Sequence, residues 1–128
     1  MNGGLKISAV ICSYNRARFI LNAVDSIFRQ DLDKSMYEVI VVDNNSMDNT
    51  LELLSDYKKR HPDYNFRFYT EPNQGVAYAR TRCAKEAKGE IVAYLDDDST
   101  AQPGWLKDIA EFFDRHPDVY SIGGENNT

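Results

Sequence analysis

IVAYLDDDSTAQPGWL, residues 91–106, runs from an apolar stretch into three adjacent carboxylates, Asp96, Asp97 and Asp98, and on to Pro103. Ile91 to Leu95 has the unbroken apolar character of a strand buried on both faces. Pro103 is placed for the first helical position of an element bearing Trp105, Leu106, Ile109, Phe112 and Phe113. The acid triplet therefore falls at the mouth of a buried strand. Charges crowded there repel one another and lose hydration, which raises their pKa values unless a cation or several donors compensate. A hard divalent cation, Mn²⁺ or Mg²⁺, does so through oxygen ligands and often shares them with phosphate. The competing reading is a solvated loop in which one Asp caps a turn and the others face water.

The alternation of strand and helix extends through the rest of the chain. Residues 6–13, KISAVICS, read as a strand, and residues 17–30 carry Ile20, Leu21, Val24, Ile27 and Phe28 as a helical stripe. Residues 37–43, YEVIVVD, are a second strand. Leu51, Leu53, Leu54 and Tyr57 mark a second helix, with Asn49 and Glu52 as its N-cap pair. Residues 66–70 form a short strand and residues 76–87 an Ala-rich helix, with Gly89 placed to end it. Residues 90–95 are the fourth strand, and residues 119–123 suggest a fifth. Continuous apolar strands separated by helices predict an α/β fold, a Rossmann-like, mostly parallel sheet with helices on both faces. Right-handed crossovers make the order 3-2-1-4 the expected one. Ligands of such sheets bind at the carboxyl edge where the order switches, which brings the triplet beside CSYNR (residues 12–16) and DNNS (residues 43–46).

Composition bounds the possibilities. A chain of 128 residues is one domain by length, and 42% hydrophobic with 27% charged residues is the balance of a soluble globular protein. A net charge of -5 leaves no basic surplus for phosphate neutralisation, so nucleic acid is not the expected partner. No apolar run approaches the roughly 18 residues of a membrane span. The first residues, MNGG, lack the features of a signal peptide. Cys12 falls in a strand pattern and Cys83 in a helix pattern; nothing in the sequence pairs them, and free thiols in a reducing compartment are expected. His61 and His116 are the only histidines, and each sits in an RHPD run between a helix and a strand. Read as helix stops, they leave no histidine for base or ligand chemistry.

The loops after the strands hold the remaining candidates. Ser13, Tyr14, Asn15 and Arg16 can bind a ligand or cap the next helix. Asp43 ends an apolar strand, where a carboxylate can accept from a base N–H or ribose hydroxyls or serve the loop itself. Asn44, Asn45 and Ser46 suit the tight turn that follows, and Asp48 and Asn49 suit helix capping. Gly75 implies a close backbone approach or positive φ at the start of the third helix. Arg80, one turn in, can pair with the triplet, reach a phosphate, or form a surface salt bridge. Trp105 is assigned to the core rather than to a stacking platform.

In order and spacing, VICSYNR, VVDNNSMDNT, NQGVAYARTR, GEIVAYLDDDSTAQPGWL and the closing Gly123-Gly124 resemble the nucleotide-sugar-binding part of the family 2 glycosyltransferases, with their GT-A fold. The resemblance implies an inverting transfer from a nucleotide-diphospho-sugar, a UDP-sugar foremost, to a saccharide or lipid-linked acceptor. It implies that Asp96, Asp97 and Asp98 are the D-x-D region. Asp98, with Asp96, would hold Mn²⁺ or Mg²⁺, and Asp96 and Asp97 would contact the nucleotide. Asp43 and Asn44 match the pair near the base, Cys12, Ser13 and Tyr14 the loop around it, and Arg80 the Arg of the Ala-Arg motif. The family's catalytic base lies in a later, acceptor-binding half, so the chain is expected to be truncated, with catalytic residues unassigned. Apolar surface left by that half is expected to favour self-association. The implied location is cytoplasmic, with peripheral attachment at the inner face of the cytoplasmic membrane as a variant. A response-regulator receiver domain would need an acid pair after strand 1, and a sugar nucleotidyltransferase a Gly-rich loop there; CSYNRARF supplies neither. A non-catalytic nucleotide-sugar-binding protein is the remaining alternative.

Overall fold

Runs rich in β-branched and aromatic residues form the four strands of the computed structural model, which describes residues 5–116. They are β1 (Ile7–Ser13), β2 (Tyr37–Asp43), β3 (Phe66–Thr70) and β4 (Ile91–Tyr94). All pair in parallel, in the order β3-β2-β1-β4. The expected topology is therefore the observed one. Ser13 stands opposite Asp43, and Asp43 opposite Thr70, so three strands end level. Tyr94 stands opposite Val10. Continuing that register by three residues brings Asp97 level with Ser13, which places the middle acid of the triplet at the carboxyl edge.

Strand side chains alternate between the two faces. Ile7, Ala9, Ile11, Val39, Val41 and Ala93 pack on one face against α1 (Ala17–Phe28), α2 (Thr50–Arg60) and α4 (Trp105–Arg115). Val10, Ile40 and Val42 pack on the other against Ala79 and Cys83 of α3 (Val76–Glu86). Each large aliphatic side chain buried this way contributes about 1.5–3 kcal/mol. Trp105 packs against the larger core, as expected.

At the amino edge the sheet is tied to α3 through a buried acid. Glu38 accepts from Ser8 Oγ at 2.6 Å and from the Lys88 backbone N–H at 2.8 Å, and pairs with Arg67. Arg67 in turn donates to the Glu86 carbonyl at the end of α3. This network pins the C-terminus of α3 at the amino edge and so directs its N-terminus to the carboxyl edge.

Several boundaries differ from expectation for local reasons. α4 begins at Trp105, not at Pro103; Pro103 and Gly104 form the turn before it. Its start is capped at long range by Gln30, whose Oε1 accepts from the Leu106 N–H while its Nε2 donates to the Gln102 carbonyl. Gln30 therefore lies past the end of α1 rather than inside it. Gly89 does not end α3 by a left-handed turn. A Cβ there would stand 2.8 Å from Ile7 C and Ser8 N, so glycine is required by the close approach to β1. Asn49 makes no side-chain cap; Asp48 accepts from the Thr50 N–H instead. His61 and His116 are C-caps of α2 and α4, with rings lying against Tyr64 and Phe112. The expected fifth strand and Gly123-Gly124 lie outside the described residues.

Candidate functional site

The loops at the carboxyl edge are braced by their own polar side chains. Asn15 and Asn45 take positive φ, 51° and 65°, which asparagine tolerates better than most residues. Asp43 is fully buried, and its carboxylate accepts from the N–H and the hydroxyl of Ser46. Ser46 Oγ accepts from the Asn15 N–H, Asn15 Oδ1 accepts from the Met47 N–H, and Asp48 accepts from the Ala17 N–H. The loops after β1 and β2 are thereby stitched together.

Asn44 performs a second fastening. Its backbone N–H continues the ladder to the Ser13 carbonyl. Its Nδ2 donates to the carbonyls of Glu71 and Asn73, and its Oδ1 accepts from the Gly75 N–H at 2.9 Å. Gly75 has φ 134°, so the sequence inference of a special backbone there holds. The turn delivers the electropositive N-terminus of α3 to the edge of the sheet.

Between these loops, α3 and the triplet lies a cleft of about 420 Å³. Cys12, Ser13 and Tyr14 form one wall, Gln74, Gly75, Val76 and Ala79 another, and Asn44, Arg16 and Asp97 complete it. Ser13 Oγ is buried at the cleft, meets no partner at full hydrogen-bonding geometry, and interacts with the Asp97 carboxylate. A buried hydroxyl so loosely satisfied has bonding capacity to spare. Tyr14, Val76 and Tyr78 are exposed around the cleft, an apolar rim of the kind on which a planar ring can lie.

The triplet divides by environment. Asp97 accepts from the Tyr14 N–H at 3.1 Å and faces Arg16 at 3.5 Å. Burial pushes its carboxyl up, against the opposing pull of those two donors and of the Ser13 hydroxyl, while the Asp98 charge adds to the rise. Asp96 and Asp98 are exposed on either side. Among the described residues no three His, Cys, Asp or Glu side chains converge as a ready-made metal cage. Two free carboxylates beside a committed one nevertheless fit Mn²⁺ or Mg²⁺, which take one or two protein oxygens and complete their shell with phosphate and water.

Of the residues singled out in the sequence, Cys12, Ser13, Tyr14, Asn44 and Asp97 line the cleft. Asp43 stands behind its wall as the anchor of the β2 loop. Arg80 is exposed, its guanidinium 5.1 Å from the Tyr94 ring centre, and among the described residues it forms no ion pair. The sequence reading missed Gln74 and Ala79 as wall residues. It also missed the approach of Cys12 Sγ to Cys83 Sγ, 3.6 Å apart. Ala79 and Cys83 are spaced one helical turn apart on the buried face of α3, the only signal that they share a side.

The sequence and the fold have relatives among known proteins. The chain is 31% identical over 127 residues to the glucosyl-dolichyl phosphate glucuronosyltransferase of Haloferax volcanii, covering 94% of this chain and 38% of that protein. It is 33% identical over 114 residues to the poly(ribitol-phosphate) beta-N-acetylglucosaminyltransferase TarS of Staphylococcus aureus, covering 88% of this chain and 19% of that one. A crystal structure of S. aureus TarS in complex with UDP-GlcNAc superimposes with a TM-score of 0.79 at 31% identity, over 88% of this chain and 32% of the other. The mannosyltransferase PcManGT of Pyrobaculum calidifontis, in complex with GDP-Man and Mn²⁺, gives 0.80 at 28% identity, over 84% of this chain and 32% of the other. The sheet with its two helical layers is thus of the GT-A type, and the chain spans between a fifth and two-fifths of these relatives. The sequence model described as "Glycosyl transferase family 2" matches residues 8–125, nearly the full length, and the chain belongs to that family.

Proposed function

We propose that this chain supplies the donor site of a metal-dependent, inverting glycosyltransferase and holds a nucleotide-diphospho-sugar, a UDP-sugar foremost, in the cleft at the carboxyl edge. The observation that carries the reading is the cleft wall: a buried, loosely satisfied Ser13 hydroxyl opposite the N-terminus of α3, with an acid triplet at the rim. A buried hydroxyl with bonding capacity to spare, apolar surface for a ring and a positive helix end suit the base, ribose and diphosphate of one ligand. TarS and PcManGT were solved with UDP-GlcNAc and with GDP-Man and Mn²⁺, which supports the same ligand class here.

In this reading Ser13 and the backbone of Cys12 and Tyr14 receive the nucleoside, and Tyr14 covers its ring. Asp43 and Asn44 fix the two loops that shape the base pocket, with Asp43 also available to the base or ribose once the ligand opens the loop. Asp97 orients the Tyr14 loop and accepts from the ribose. Arg80 swings from Tyr94 toward the diphosphate. Asp98 and Asp96 would hold Mn²⁺ or Mg²⁺, which when bound neutralises charge on the diphosphate leaving group. A base from another part of the protein would deprotonate the acceptor hydroxyl. The acceptor is a saccharide or a lipid-linked sugar, in keeping with relatives named for dolichyl phosphate and poly(ribitol-phosphate) substrates. A place at the inner face of the cytoplasmic membrane accords with such acceptors; no helix among the described residues is long and apolar enough to cross a membrane.

Calorimetry with UDP and GDP, each with Mn²⁺ and with EDTA, tests the proposal. Tighter binding with Mn²⁺ than in EDTA supports it. Affinity equal in both removes the metal, and no heat with any nucleotide removes the donor site.

A further inference from the structure

The thiols of Cys12 and Cys83 have no role in the donor-site reading, although the Cys12 backbone belongs to the cleft. Cys83 is buried on α3 among Val10, Ile40, Val42 and Ala79. Cys12 is half-buried at the end of β1 and lines the cleft. Their sulfurs are 3.6 Å apart, in hydrogen-bond contact and without a disulfide. One thiol is thus reachable from the cleft, and the other lies directly behind it. A disulfide spans about 2.05 Å, so closure needs the two sulfurs to approach by about 1.5 Å, a movement within reach of side-chain rotation and a slight shift of α3.

The local fields favour the same division of labour. The Cys83 thiol, hydrogen-bonded to Cys12, and the Arg80 guanidinium nearby pull the Cys12 thiol below its ordinary range, against burial. The hydrogen bond with Cys12, together with burial, pushes the Cys83 thiol up. Cys12 is the sulfur that the cleft exposes, so an oxidant entering there meets that thiol first.

We propose that Cys12 and Cys83 are a redox modification site, in which Cys12 is oxidised by a hydroperoxide entering the cleft and Cys83 resolves it to a Cys12–Cys83 disulfide. In the first step the Cys12 thiolate attacks hydrogen peroxide. An S–O bond forms, the O–O bond breaks, and hydroxide leaves, giving the sulfenic acid. In the second, Cys83 sulfur attacks Cys12 sulfur. The S–S bond forms, the S–O bond breaks, and hydroxide departs, so that with the two thiol protons both oxygens end as water. Two thiols lose two electrons and peroxide gains them; a dithiol reverses the change. The disulfide ties the mouth of β1 to the helix whose N-terminus forms the facing wall. Resting on the donor-site reading, a nucleotide in the cleft covers Cys12 and slows the first step.

The test treats the reduced chain with graded hydrogen peroxide and maps the products by mass spectrometry. The expected result is loss of two hydrogens per chain, a cross-linked peptide pair containing Cys12 and Cys83, and full reversal by dithiothreitol. Cys83→Ala, or Cys83→Ser if the first folds poorly, should leave Cys12 as a sulfenic acid trapped by dimedone. Cys12→Ala should leave Cys83 reduced at the same peroxide dose. A dimedone adduct on Cys12 in the parent without disulfide overturns the proposal. Disulfide between chains, or oxidation of Cys83 at an unchanged rate in Cys12→Ala, also overturns it. Saturating UDP with Mg²⁺ should slow oxidation at least tenfold. If calorimetry shows UDP bound while the rate is unchanged, access through the cleft is wrong. If UDP does not bind at all, the donor-site reading falls and the thiol pair stands on its mass spectrum.

Discussion

Asn44→Ala removes the fastening between the sheet edge and the segment leading into α3. The side chain makes three hydrogen bonds, from Nδ2 to the carbonyls of Glu71 and Asn73 and from the Gly75 N–H to Oδ1. Each is worth about 0.5–1.5 kcal/mol net. Asn44 is only 7% exposed, whereas Asn73, Gln74 and Gly75 are open to water, which can take up part of the lost bonding. The expected loss is therefore about 2–3 kcal/mol, below the full desolvation cost of three orphaned groups. For a domain of this size that is a fall in Tm of roughly 10 °C. Calorimetric melting and urea unfolding measure it directly. Because Gln74, Gly75 and Val76 form one wall of the cleft, UDP affinity should fall at least fivefold in the same variant. A variant within about 0.5 kcal/mol of the parent, with UDP affinity unchanged, would refute the view that Asn44 holds this wall.

Other perturbations probe separate parts of the account. Gly89→Ala forces a Cβ to within 2.8 Å of the β1 backbone and should cost about 1–3 kcal/mol in urea unfolding; a neutral variant would mean that the strand and the turn can part freely. Asp97 has its carboxyl pushed up by burial, so the folded state holds its proton more tightly than the unfolded chain. Its contribution to stability therefore falls as pH rises from the unfolded value of 3.8 through the higher folded one, and stays low above it. Asp97→Asn, which keeps an acceptor for the Tyr14 N–H, should melt above the parent at neutral pH, with the gap closing toward pH 4; a gap that widens on acidification contradicts the burial argument. Asp98→Ala should leave the Tm of the free chain within a degree or two, because the carboxylate is exposed, while cutting UDP affinity in Mn²⁺ by about tenfold or more. Full retention of the Mn²⁺ effect would take Asp98 out of the metal site.

Strand order was legible because continuous apolar strands with right-handed crossovers leave few choices, and the carboxyl edge followed from it. Ser13, Tyr14 and Asp97 could be placed there because they end or closely follow the first and fourth strands. The direction of neighbouring loop side chains could not. Asp43 turns into its loop to hold Ser46, while Asn44 reaches across to Gly75, and only the three-dimensional path of the 71–75 segment decides between them. The start of α4 depends on Gln30, 76 residues away from Leu106, and Gly89 answers to a backbone that local turn chemistry does not mention. The meeting of Cys12 and Cys83, 71 residues apart, depends on how α3 is rotated on the sheet, which Glu38 and Arg67 set from the far edge.

The central claim, that the cleft between β1, α3 and the acid triplet receives a nucleoside diphosphate with its cation, is tested most directly by heteronuclear NMR. UDP is titrated into the labelled chain, and Mn²⁺ is then added in trace amounts to the magnesium complex. Amide shifts should concentrate at Cys12 to Tyr14, Asn44 and Gln74 to Val76, and paramagnetic broadening should centre on Asp96 to Ser99. Shifts clustered elsewhere, or broadening spread over acidic surface such as Asp56 and Glu111 with the triplet spared, would contradict the account.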